Sequence, residues 1–138
     1  MMTVLAQSAA RLGPRFVYWL DGTVSFVMGV GVALLAMPLT AMVGWPLPAE
    51  FLLAIGLVLL PWAAFNIWTA RAPRLPRPAY ALHLFVDISW VIGSAALLLI
   101  YGFTMSLFGL VFIAGQGLAV AGVLLLKLVG ARAMLSRA

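Results

Sequence analysis

The segment ISWVIGSAALLLIYGFTMSLFGLVFIAGQGLAVAGVLLL, Ile88 to Leu126, runs for 39 residues without a charge. A membrane-spanning helix needs ~20 apolar residues at a rise of about 1.5 Å each. The segment therefore holds most of two such helices, and Gly102-Phe103-Thr104 offers the turn between them. Upstream, Gly22 to Ala49 and Phe51 to Ala70 are also free of charge. The chain of 138 residues is 66% hydrophobic and 8% charged, more apolar surface than a soluble domain of this size can bury. The expected fold is all-α, an up-down bundle of four transmembrane helices in a single domain over residues 1–138. The expected spans are Phe16–Met42, Phe51–Ala70, Ala79–Ile100 and Ser106–Leu128.

The eight basic residues, Arg11, Arg15, Arg71, Arg74, Arg77, Lys127, Arg132 and Arg137, all flank spans on one side of this topology; the other side carries only Glu50. The positive-inside rule places both termini and the middle loop in the cytoplasm of a bacterial inner membrane. The net charge of +5 is thus topological, and its dispersal argues against a nucleic-acid surface. The lipid bilayer is the first expected partner, with a homo-oligomer or another membrane protein as the second. The absence of cysteine excludes disulfides and thiolate chemistry. The first span is too long for a signal peptide and lacks a clear cleavage site, so it is expected to remain.

Met2 to Leu12 has the pattern of a short interfacial helix ended by Gly13-Pro14. The loop Arg71 to Pro78 contains three prolines and divides the spans into two hairpins. The hairpins share short similarities: WLDGTVS with FVDISW, and GLVLL at Gly56 with GLVFI at Gly109. Duplication and common apolar composition both account for these. Tyr18, Trp19, Trp68 and Tyr80 fall at the cytoplasmic interface, Trp45 and Tyr101 at the outer one, and Trp62 and Trp90 deeper, between helices.

Each helix places a polar side chain in the cytoplasmic half. Asp21 lies ~9 Å in from Arg15, Asn66 ~8 Å from Arg71, and His83 ~9 Å from Arg77. Asp87 lies ~15 Å from Arg77 and Gln116 ~16 Å from Lys127. An ionisable group at membrane depth is costly and usually faces a bundle interior. His83, Asp87, Trp90 and Ser94 follow an i, i+4, i+7, i+11 pattern and share one helix face. His83 and Asp87 are within hydrogen-bonding reach of each other. Asp21 and Ser25 are also one turn apart, followed by Gly29 and Ala33, a small-residue row that admits a neighbouring helix. Gly115, Ala119 and Gly122 form a similar seam on the fourth helix. Pro61 frees a carbonyl near mid-membrane, with Asn66 about one turn on.

The candidate site is accordingly an intramembrane polar cluster of Asp21, Ser25, Asn66, His83, Asp87 and Gln116. Two readings of it stand. In the first, the aspartates serve packing alone, bonded to Asn66, Gln116 or Ser and Thr hydroxyls, with Asp21 reaching water beside Arg15. Alternatively they carry protons or cations, with Asp87 the deeper and principal carrier. One His and two carboxylates at unlike depths are too few donors for a metal centre, and a lone His cannot supply bis-His haem ligation within one chain. No cofactor is expected. The chain contains no G-x-S-x-G, no H-E-x-x-H and no phosphate-cradling glycine loop, so no catalytic residue is assigned and the expected class is not an enzyme.

Asp21-Gly22 with Gly29, then Leu47-Pro48, Gly56 and Leu60-Pro61, followed by Trp90 with Ser94, Thr104, Gly109 and Gln116, make up a layout that runs from about Leu20 to Leu126. It resembles that of small four-span bacterial integral membrane proteins of unassigned function. The resemblance implies the four-span fold and no activity. In those proteins asparagine stands at the position of Asp87, which would make an ionised carboxylate there dispensable to a shared role. The leading expectation is a non-enzymatic module, an accessory or assembly subunit of a membrane complex or a homo-oligomer. The alternative is a small proton- or cation-coupled transporter or channel using Asp87 and Asp21.

Overall fold

The computed structural model describes residues 1, 3–4 and 13–135. The chain is all-α over these residues, and four helices are long and apolar enough to cross a membrane. The helices are α1 (Phe16–Leu34), α2 (Ala36–Val43), α3 (Ala49–Arg71), α4 (Arg77–Tyr101), α5 (Leu107–Val129) and the single turn α6 (Ala131–Met134). Of the short helix expected over Met2 to Leu12, only residues 3 and 4 are described; Arg11 and Arg137 also lie outside the described residues.

The first span differs from the expected Phe16–Met42. It is interrupted at Leu35, whose φ of −108° and ψ of 20° leave the helical region. The cause is Pro38, which has no N–H to offer the Leu34 carbonyl four residues back and whose ring crowds that carbonyl. The chain restarts as α2 and stops at Gly44, whose φ of 81° suits a residue without Cβ. Pro61 is tolerated inside α3, where its ring faces outward.

The bundle is built from two hairpins, α1–α2–α3 and α4–α5. Within the first, α1 and α3 approach at backbone distance, because Gly29 and Gly56 face each other. A Cβ on Gly56 would stand 2.6 Å from the Ala33 nitrogen and 2.8 Å from the Gly29 carbonyl oxygen. The small-residue row of Gly29 and Ala33 is thus occupied by α3. The seam on α5 is different. Gly115, Ala119 and Gly122 are exposed, and nothing among the described residues lies within 4 Å of a Cβ placed on Gly115 or Gly122. The interface glycines of α5 are instead Gly109, against the Val43 carbonyl, and Gly117, against Ser94.

Apolar packing closes the bundle at both ends. At the Glu50 end, Val32, Ala36, Val43, Trp45, Leu52, Met105 and Ile113 form one core. Ser106 fastens α5 there: its backbone N–H donates to Val43 (2.9 Å), its hydroxyl donates to the Met42 carbonyl, and it accepts from the Gly109 N–H (3.0 Å). At the end that holds the termini, Val17, Tyr18, Ala70, Leu75 and Met134 pack together, and the Leu75 N–H donates to the Met134 carbonyl at 2.8 Å.

Arg15 lies at this same end and caps α3. Its guanidinium donates to the carbonyls of Ala70 (3.0 Å), Ala72 and Pro73 (3.1 Å), where α3 leaves its last acceptors unpaired.

Gly56→Ile is expected to force α1 and α3 apart and cost about 1–3 kcal/mol, as overpacking does. Gly93→Ile, at an exposed position with open space around its Cβ, should leave the thermal midpoint in detergent unchanged. Equal midpoints for both variants would remove the close approach of α1 and α3 as a stabilising contact.

Candidate functional site

Between the two apolar ends lies a cluster that all four long helices build. Its centre is Lys127 on α5, fully buried. The Lys127 Nζ donates to Asp21 Oδ2 on α1 at 2.7 Å, to Asp87 Oδ2 on α4 at 2.9 Å and to His83 Nδ1 on α4 at 3.1 Å. An ammonium group has three N–H donors, and each one has an acceptor here. Ser25 donates to the other Asp21 oxygen at 3.2 Å.

The hydrogen-bond partners assign the state of His83. The Thr69 hydroxyl on α3 has one proton, which it donates to the Phe65 carbonyl at 2.9 Å. Its contact with His83 Nε2 at 2.8 Å therefore has the imidazole as donor. His83 Nδ1 then bears a lone pair, the form needed to accept from Lys127. The imidazole is neutral and protonated on Nε2. With both carboxylates ionised, the cluster of two carboxylates, one ammonium and one neutral imidazole has a charge of −1; one added proton makes it neutral.

Aromatic rings from the first hairpin enclose this centre. Phe65 stacks on His83 with centroids 4.5 Å apart, while Tyr18 and Trp62 meet it edge-on at 4.9 and 5.1 Å. The Lys127 Nζ lies 5.4 Å from the Tyr18 centroid and 5.2 Å from that of Trp62, within cation–π range. The face of α4 that holds His83, Asp87 and Ser94 is its buried face.

Several expected contacts are replaced by others. His83 and Asp87 meet through Lys127 and not directly. Arg15 bonds the carbonyls of Ala70, Ala72 and Pro73 at and just past the end of α3, and not Asp21. Asn66 is buried on the Trp62–Thr69 face of α3, but its amide donates to its own helix at Trp62 (3.0 Å), neither to an aspartate nor to the carbonyl that Pro61 frees. Gln116 lies outside the cluster in a second polar network between α4 and α5. It donates to Ser94 Oγ (2.7 Å) and the Ile113 carbonyl (2.8 Å), and it accepts from the Trp90 indole. Of the six candidate residues, the structure brings Asp21, Ser25, His83 and Asp87 together, keeps the Asn66 amide bonded within α3 and separates Gln116.

Charge alone places Lys127 on the cytoplasmic flank of α5; the structure instead turns it into the bundle, where it is fully buried between the two aspartates. Two signals point to it. Lys127 has three leucines before it and Leu128-Val129 after it, and it stands 18 residues, or five helical turns, from Gly109 on the buried face of α5. Two acids inside spans also call for a countercharge, and Lys127 is the basic residue most deeply set in apolar sequence.

Among the described residues no group of three or more acidic, His or Cys side chains converges as a metal site; the ammonium of Lys127 occupies the point between the carboxylates where a cation would sit. No protein-family model matches the chain, and no curated protein or solved structure matches it.

Lys127→Met should leave two buried carboxylates without a countercharge and destabilise the protein by about 3–5 kcal/mol. Combining it with Asp21→Leu and Asp87→Leu should recover most of that loss, since an apolar replacement removes the desolvation with the pair. Thermal unfolding in detergent reads both, and a single variant as stable as wild type would contradict the central role of Lys127. The state of His83 has its own check. It is the only histidine, so its 15N spectrum at neutral pH should show one protonated nitrogen, Nε2. A doubly protonated ring would contradict the assignment.

Proposed function

We propose that the protein is a non-enzymatic helical module of a bacterial inner membrane, an accessory or assembly subunit or a homo-oligomer, with both termini cytoplasmic. The observation that carries this reading is the α5 seam. Gly115, Ala119 and Gly122 form a surface suited to close helix approach, yet no helix of the described chain covers it. A helix from a second chain is the natural occupant of such a surface. The charge cluster supports the same reading, because the Lys127 donors are all satisfied within the chain and apolar cores close the bundle on either side of them. The orientation rests on Arg15, Arg71, Arg74, Arg77 and Arg132 at one end and Glu50 at the other. It survives the loss of Lys127 from the flank.

Extraction in mild detergent followed by native mass measurement tests this. The wild-type chain should run as a stoichiometric complex with a second copy or another membrane protein. Gly115→Leu combined with Gly122→Leu should return it to the monomer mass. A wild-type monomer would overturn the reading.

One observation favours proton-coupled transport as a second reading: the cluster has one negative charge more than it has positive. The carrier would be the Asp21–Asp87 pair with Lys127 as its internal countercharge. Reconstituted in vesicles, the wild-type chain should then pass protons or cations, and Asp87→Asn should abolish the flux. Equal flux in both would dispose of the carrier role.

A further inference from the structure

The lipid-facing side of the first hairpin carries a groove of about 720 Å³ between α1 and α3, walled by Gly22, Phe26, Ala63 and Ala64 and ending at Trp68 and Arg71. Phe26, Leu60 and Ile67 are the large apolar side chains of its lining, and Thr23, Ala63 and Ala64 are the small ones. Its upper limit is Leu60, eleven residues before Arg71. That is a depth of ~16 Å, half of the ~30 Å hydrocarbon core, so the groove has the length of one leaflet's acyl chain.

The end of the groove is as informative as its length. Arg71 is exposed and makes no hydrogen bond or ion pair among the described residues, unlike Arg15 beside it, whose guanidinium is taken up by α3 carbonyls. Trp68, half exposed, stands one turn inside Arg71, at the depth where an indole marks the headgroup boundary. No acidic residue competes for Arg71: Asp21 and Asp87 are turned inward to Lys127, and Glu50 lies at the far end of α3. A free guanidinium over an apolar slot of leaflet length complements an anionic headgroup with its chain. A zwitterionic lipid would set its own ammonium against the same positive surface.

We propose that this groove binds one anionic phospholipid from the leaflet on the side of the termini, with its phosphate at Arg71 and one acyl chain lying along the groove on the lipid-facing surface of α1 and α3. Full-length protein is released from vesicles of equal phosphatidylglycerol and phosphatidylcholine into the mass spectrometer, and the lipids retained are counted. Wild type should keep one phosphatidylglycerol in preference to phosphatidylcholine by about fivefold, the contribution of one basic residue at an anionic surface. Arg71→Gln should lose the preference, Arg71→Lys should keep it, and Arg74→Gln should leave it unchanged. Ala64→Trp, which fills the slot and spares the charge, should prevent retention. Equal retention of the two lipids by wild type would overturn the proposal. An undiminished preference in Arg71→Gln or Ala64→Trp would do the same, as would a second copy of the chain in place of the lipid.

Discussion

The structure depends on one buried ammonium. Taking an ion out of water and into a protein interior costs several kcal/mol, and this bundle does so for Lys127, Asp21 and Asp87 together. The arrangement persists only if each Lys127 proton has an acceptor, which demands α1, α4 and α5 in one relative placement; α3 enters because His83 must be held by Thr69 to present its lone pair. Helices in lipid gain nothing from hydrophobic association alone, so directional contacts set their register.

This explains how two hairpins that share little backbone contact form one bundle. Within the first, glycine brings α1 and α3 together; within the second, Gly117 against Ser94 and the Gln116–Ser94–Trp90 network join α4 and α5. The cluster bonds across the two. Its position between a core at the Glu50 end and another at the termini end means that water has apolar packing to cross from either side. The low dielectric that this creates strengthens each bond to Lys127, and it equally raises the cost of losing one.

Much of this was legible in the residues, for identifiable reasons. Uncharged runs of span length gave the four helices, and the period of the α helix placed His83, Asp87 and Ser94 on the buried face of α4. The break at Leu35 was hidden by an unbroken apolar run, although Pro38 contained the cause. The role of Lys127 was hidden by a different ambiguity. A lysine near the end of a span has a stem long enough to reach either the headgroups or the interior, and its charge alone does not choose. The choice is made by Asp21 and Asp87, which lie 106 and 40 residues away in sequence. Small residues are ambiguous in the same way. Gly29 and Gly115 both permit a close neighbour, but only Gly29 has one among the described residues.

The charge count separates the two aspartates. Asp21 and Lys127 alone would make a balanced pair, with Ser25 supporting the carboxylate and His83 taking another ammonium proton. An asparagine at position 87 would still offer Lys127 a carbonyl oxygen and would leave that pair neutral. The geometry that ties the hairpins together therefore needs an acceptor at 87 but not a charge. What Asp87 adds is the unbalanced negative charge, and with it a place for one proton on the carboxylate pair. The structural role of the cluster thus rests on Lys127 and Asp21 with a hydrogen-bond acceptor at position 87.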